Sequence, residues 1–172
     1  MNFLELRRRL LSVKNDYNLI DVDKFAELVI SYKGTQRAEI KEVDGRRCIS
    51  FMNSTMRLKD FTSCCPTFKE NTRYIFSFEA RPEVIPPADA QYEYQLYMGL
   101  SPEGICQFKG LSAKTTTEFT RIYNVNRVGT TATDLYWSWG AVRQWLIDLD
   151  TVCLYEYDKF LELGGTSIWE EK

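Results

Sequence analysis

From Tyr74 to Arg81 the chain alternates without a slip: Tyr74, Phe76, Phe78 and Ala80 fall on one parity, and Ile75, Ser77, Glu79 and Arg81 on the other. Successive side chains in a strand point to opposite faces, so this stretch carries an aromatic row on one face and mainly polar groups on the other. Pro82 lacks the N–H a ladder needs and ends the run. Tyr92, Tyr94, Leu96 and Met98 repeat the row, with Pro86-Pro87 before them and the turn-rich stretch 99–104 after. The two rows are predicted to face one core between sheets.

The same period governs most of the chain beyond residue 38. Ala38, Ile40 and Glu42 lead to Asp44-Gly45, a pair suited to a two-residue hairpin turn, and Cys48 to Met52 follow. Further strands are expected at Phe119–Val125, Asp134–Trp139, Gln144–Asp148 and Thr151–Tyr157. Seven or eight short strands, with no helices long enough for crossovers between parallel strands, predict an all-β, antiparallel sandwich. A length of 172 residues is one domain's worth and buries such a core without a metal or disulfide.

The ends read differently. Phe3, Leu6, Leu10 and Val13 recur at helical spacing, predicting a short amphipathic N-terminal helix or docking segment over 1–16. Tyr17 to Val29 is ambiguous between extended chain and a helical turn, and extended chain with one turn is the reading taken. The sandwich is expected over 17–157. The tail, 158–172, carries Phe160, Leu161, Leu163, Ile168 and Trp169, so it either packs back or meets another chain.

Composition removes several functions. The formal charge is −2, from 22 basic and 24 acidic side chains, so no global field gathers phosphate backbones, and nucleic acid is not an expected partner. No run approaches the roughly 20 apolar residues that span a bilayer, and Met1–Leu11 does not resemble a signal peptide. The chain is expected to be cytoplasmic at synthesis. There is no histidine, which removes the usual general base and the usual partner of a Ser or Cys nucleophile. The five cysteines form no C-x-x-C and are expected to be reduced thiols.

Three segments in order carry a resemblance: Asn18-Leu19-Ile20-Asp21 at the opening, Tyr74 to Arg81 in the middle, and Trp145 to Glu156 at the close. Their order and spacing resemble jelly-roll carbohydrate-binding modules and related galactose-binding-like domains, including copies on phage or prophage tail proteins. The resemblance implies a jelly-roll-like sandwich and a glycan partner. It also implies a structural calcium site, for which Asp21 or Asp23 with Asp148 or Asp150 stand at the corresponding ends of the chain. Asp21-Val22-Asp23-Lys24-Phe25 departs from the short Asn-Gly-containing element that such modules commonly carry here.

Sugar recognition places a flat aromatic ring under the apolar face of a pyranose and amides, carboxylates or guanidinium groups around its hydroxyls. Tyr136 is out of phase with Leu135, Trp137 and Trp139, which are assigned to the core, so Tyr136 is the first aromatic candidate. Glu93, Gln95 and Tyr97 alternate with the second aromatic row and are candidates to line a sheet face with Arg121, and Gln144 lies near the indole cluster. The primary expectation is a non-catalytic binding module. The alternative is a structural or attachment subunit of a phage tail or similar assembly, alone or as a homo-oligomer, without glycan binding. A weaker one is a glycosidase using a carboxylate pair such as Glu79 and Glu93.

Overall fold

A computed structural model describes residues 17–31, 36–58, 63–65, 68–85, 87, 95–101, 109–112, 116–127 and 136–163. The expected N-terminal helix and residues Tyr92, Glu93, Tyr94, Cys106 and 164–172 lie outside the described residues. Helix α1 (Val22–Ser31) is followed by strands β1 (Gln36–Val43), β2 (Arg46–Leu58), β3 (Arg73–Pro82), β4 (Gln95–Ser101), β5 (Lys109–Ser112), β6 (Thr120–Arg127) and β7 (Tyr136–Glu156), then helix α2 (Tyr157–Glu162).

The chain is an antiparallel β-sandwich, and among the described residues every strand pairing is antiparallel. One layer has the order β1-β2-β7-β3-β6. The first half of β7 carries β4 on one side and the second half of β2 on the other, and β5 pairs β4. The sheet is therefore continuous through β7 and folds over on itself.

Leu96 of β4 is buried in the same cluster as Tyr74, Phe76, Phe78 and Ala80 of β3, so the predicted aromatic row does face a core. Much of the opposite parity of β3 is buried as well: Ile75 and Ser77 are inaccessible, Glu79 and Arg81 stay partly exposed, and Arg73 at the strand's start is exposed. Ile75 packs with Cys153, Tyr155 and Phe160 in a second cluster under α2. The described start of the tail thus packs back on the sandwich through Phe160 and follows β7 directly.

Two local expectations are corrected. The three closing strands are one, β7, because β2, β3 and β4 between them supply ladder partners along its length. Against β3 it bulges where Leu149 to Val152 stand opposite Phe78 alone, and against β2 where Val142 to Gln144 stand opposite Met52 alone. Thr151 closes the bulge against β3: its hydroxyl accepts from the Glu79 N–H at 2.8 Å and donates to the Asp148 carbonyl at 2.7 Å. The other correction is α1, expected as extended chain. Phe25, Ala26 and Val29 are helically spaced and all buried, and Phe25 meets Phe76 with ring centroids 6.1 Å apart.

The opening and closing segments do meet. The Asn18 side-chain amide donates to the Val152 carbonyl at 3.1 Å, and its oxygen accepts from the Leu154 N–H at 2.8 Å. Leu19 N–H donates to the Leu154 carbonyl at 2.9 Å. Asn18 therefore substitutes for a strand partner on the open side of β7. The Asp44-Gly45 turn is as expected, with φ of 54° and 68° matching the positive angles a tight hairpin turn requires. Among the described residues no helix is long and apolar enough to cross a membrane, and Cys48, Cys64, Cys65 and Cys153 are free thiols.

Candidate functional site

Polar residues collect on the outer face of the β1-β2-β7-β3-β6 layer because strand register lines them up. Lys41 stands opposite Cys48, Cys48 opposite Asp148, Asp148 opposite Glu79, and Glu79 opposite Arg121. This row crosses the layer from edge to edge. Its centre is an ion network: Arg46 Nη1 donates to Asp148 Oδ2 at 2.7 Å and to Glu79 Oε2 at 2.9 Å. Arg121 adds Ser77 Oγ at 2.7 Å and Glu79 Oε1 at 3.4 Å.

Asp148 is wholly inaccessible, and burial holds its carboxyl above the ordinary carboxylate value against the pull of Arg46. Burial and the Asp148 charge push the neighbouring Cys48 thiol up to about 11, which makes it a poor nucleophile at neutral pH. Phe119 covers this centre, with the Arg46 guanidinium 4.5 Å and the Arg81 guanidinium 5.1 Å from its ring centroid. The middle of the face is structural, and it is closed.

Toward the β1 edge the face opens. A cleft of about 510 Å³ is lined by Ala38, Glu39, Lys41, Glu83 and Gln144, a volume within the roughly 300–1,000 Å³ of small-ligand sites. Its polar groups hold one another in place. The Lys41 ammonium bonds Glu83 and lies 3.4 Å from Glu39 Oε1. Ser50 Oγ donates to Glu83 Oε2 at 2.6 Å and accepts from Gln144 Nε2 at 2.7 Å. Glu83 N–H donates to the Gln144 carbonyl at 3.0 Å, which continues the β3–β7 ladder past Pro82.

These bonds fix the titration of the cleft. Burial pushes the Glu83 carboxyl up, but bonds from Lys41 and Ser50 outweigh it and hold it below 4.5. The bond to Glu83 raises Lys41 above 10.5 despite its desolvation. A depressed acid contributes stability above its unfolded value, lost as pH falls through the folded one; a raised base contributes below its unfolded value, lost as pH rises through the folded one. The stability difference between wild type and Glu83→Gln is therefore expected to be flat from about pH 5 to 10 and to shrink below about pH 4.5. Urea titrations at several pH values check this, and a difference that grows on acidification would contradict it.

The residues predicted to bind ligand are divided by the fold. Arg121 and Gln144 lie on this face, Gln144 in the cleft and Arg121 in the ion network. Gln95 and Tyr97 belong to β4, opposite Ser112 and Gly110 of β5, and Tyr136 opens β7 opposite Ser101. Among the described residues neither β4 nor β5 shares a ladder with β6, the strand that carries Arg121; Glu93 is outside the described residues. Lys41, Ser50 and Glu83 went unread in the sequence. Tyr123, 43% exposed and opposite Ser77, was legible as the out-of-phase aromatic of β6.

Three of the four candidate calcium ligands have other partners. Asp21 Oδ1 accepts from the Lys24 N–H at 3.1 Å and caps α1, a bond that lowers its pKa. Asp23 pairs with Arg47 at 2.6 Å, Asp148 is held by Arg46, and Asp150 is exposed. Among the described residues no group of three or more acidic or cysteine side chains is arranged to hold a metal. The opening and closing segments are joined by the Asn18 amide, where the resemblance implied an ion.

No protein-family model and no curated protein matches the chain. Solved structures give similarity in outline. The Clostridium thermocellum N-terminal endo-1,4-β-D-xylanase 10B, in its CBM22-1 and GH10 modules complexed with xylohexaose, aligns with a TM-score of 0.47 and 11% identity over 82% of this chain and 28% of that one. The C-terminal family 22 carbohydrate-binding module of Clostridium thermocellum xylanase 10B aligns with a TM-score of 0.43 and 17% identity, covering 75% of this chain and 89% of that one. The C-terminal CBM6 of a Zobellia galactanivorans laminarinase gives 0.39 and 11%, over 74% and 94%.

Proposed function

We propose that the chain is a non-catalytic carbohydrate-binding module and that glycan enters the cleft between β1 and the Glu83–Gln144 end of the sheet. The observation that carries this reading is the cleft itself. An ammonium, two carboxylates and an amide converge on one open space and are braced by hydrogen bonds. Fixed donors and acceptors suit hydroxyl groups, since a hydroxyl both donates and accepts and little side-chain freedom remains to be lost on binding. The sequence resemblance to carbohydrate-binding modules supports the same reading.

The carboxylates suit binding better than glycoside hydrolysis. Glu79 and Asp148 share one nitrogen of Arg46 beneath Phe119, which leaves no room for a sugar between them, whereas a hydrolytic pair must flank the scissile bond. Glu83 is held in its ionised form, and a general acid needs the opposite.

A glycan array followed by calorimetry tests the proposal. Gln144→Ala is expected to weaken binding about tenfold, as the loss of one or two hydrogen bonds does, while the circular dichroism spectrum stays that of the folded protein. Tyr136→Ala is the companion variant, and a larger loss there would move the site to the β4 side of the sandwich. If no glycan binds and the protein forms oligomers that disappear on deleting residues 1–14, the assembly-subunit reading replaces this one.

A further inference from the structure

The cleft that we propose binds glycan has a charge pattern that bears on which glycans it takes. Among the described residues its lining carries two carboxylates, Glu39 and Glu83, against the single ammonium of Lys41. That ammonium is committed to both carboxylates. Arg81, the next cation toward the centre, is tied to Asp44 at 3.1 Å and packs over Phe119. Neither cation is held out toward an incoming anion.

Glu39 is placed differently from Glu83. Both Glu83 oxygens are engaged, one by Lys41 and one by Ser50. The Glu39 side chain is 65% exposed, and among the described residues its carboxylate meets Lys41 alone, through Oε1 at 3.4 Å. Among the described residues no bond engages its second oxygen, which leaves that oxygen as an acceptor. A neutral hydroxyl gains a charge-assisted hydrogen bond there. A ligand carboxylate at the same place meets like charge at a few ångströms.

We infer that the cleft takes neutral polyhydroxylated chains and rejects glycuronates, with Glu39 at the rim setting that selectivity. The inference rests on the carbohydrate-module reading. At partly exposed sites, one like charge at about 4 Å corresponds to about a tenfold discrimination at low salt. The discrimination weakens as ionic strength rises, because the Debye length falls to about 3 Å at 1 M salt.

The test uses neutral oligosaccharides alongside the same oligosaccharides oxidised at C6 to uronates, titrated against wild type and Glu39→Gln at low and high salt. In wild type the neutral members are expected to bind about tenfold more tightly than their oxidised counterparts. In Glu39→Gln that gap is expected to narrow severalfold, and high salt to narrow it in wild type but little in the variant. Glu39 is exposed, so the variant is expected to fold normally. Uronates that bind wild type as well as neutral sugars do, or a gap unchanged in Glu39→Gln, would overturn the inference and leave the module reading standing. Binding of neither series to folded protein would overturn both.

Discussion

Arg46→Met is expected to cost about 3–5 kcal/mol at neutral pH, and much of that loss is expected to return on acidification. Arg46 bonds two carboxylates at once, and one of them, Asp148, is fully inaccessible. Methionine keeps an apolar stem of similar length and removes the guanidinium, with its two carboxylate bonds and its contact to the Phe119 ring. Glu79 retains Arg121. Asp148 loses its guanidinium and is left as a buried charge. Burial already raises its carboxyl above the ordinary aspartate value, and removing Arg46 raises it further.

The direction in pH follows from that rise. A carboxyl whose folded pKa lies above its unfolded one gives its full contribution below the unfolded value and loses it as pH rises through the folded one. The deficit of Arg46→Met relative to wild type should thus be largest near pH 7 and shrink toward pH 4. Adding Asp148→Asn should recover part of the neutral-pH loss and flatten the dependence, since no buried charge remains. Urea denaturation of the three proteins at both pH values measures this. An equal deficit at pH 7 and pH 4 would show that Arg46 acts through packing.

The sequence was most informative where one face of a strand is apolar. Tyr74, Phe76, Phe78 and Leu96 are buried together because parity alone decides which way a strand residue points. It was least informative where a segment obeys two patterns. Val22 to Val29 has helical spacing, but Leu19-Ile20 before it reads as the start of a strand. The outcome depends on the Asp21 cap and on Phe76, a partner that arrives late in the chain. The closing strands looked separate because Gly140 and the polar stretch from Asp148 to Thr151 read as breaks. Continuous pairing overrides the first, and Thr151 bridges the second.

The site was legible only in part, for the same reason. Arg121 and Gln144 could be singled out as polar residues on strands. Lys41 and Glu83 are 42 positions apart, and Ser50 and Glu83 33. Their meeting depends on β1, β2, β7 and β3 lying side by side in a particular register, which no local pattern encodes. The aspartates show the same dependence on partners that local sequence does not reveal. As carboxylates near two chain ends that do meet, they suited a hard cation, but a helix N-terminus and two guanidinium groups claim three of them.

Trp145→Ala is expected to lower stability by about 3–5 kcal/mol, the range for truncating a large buried aromatic. Trp145 is fully inaccessible and stands at the crossing of the fold, opposite Phe51 of β2 and Pro82 of β3. It belongs to the cluster that also holds Phe25 of α1, Phe76 and Leu96, so its indole lies in the core shared by the helix and both layers. The surroundings are strands fixed by ladders on both sides of β7 and cannot collapse into the space an alanine leaves, which places the loss toward the upper end. Trp145→Phe should recover more than half of it by refilling most of the volume. Tyr123→Ala, an aromatic truncation on the exposed face, should change stability by no more than about 0.5 kcal/mol. Denaturant midpoints at constant slope read all three. A cost below about 1 kcal/mol for Trp145→Ala would mean that α1 and the two layers do not share one core.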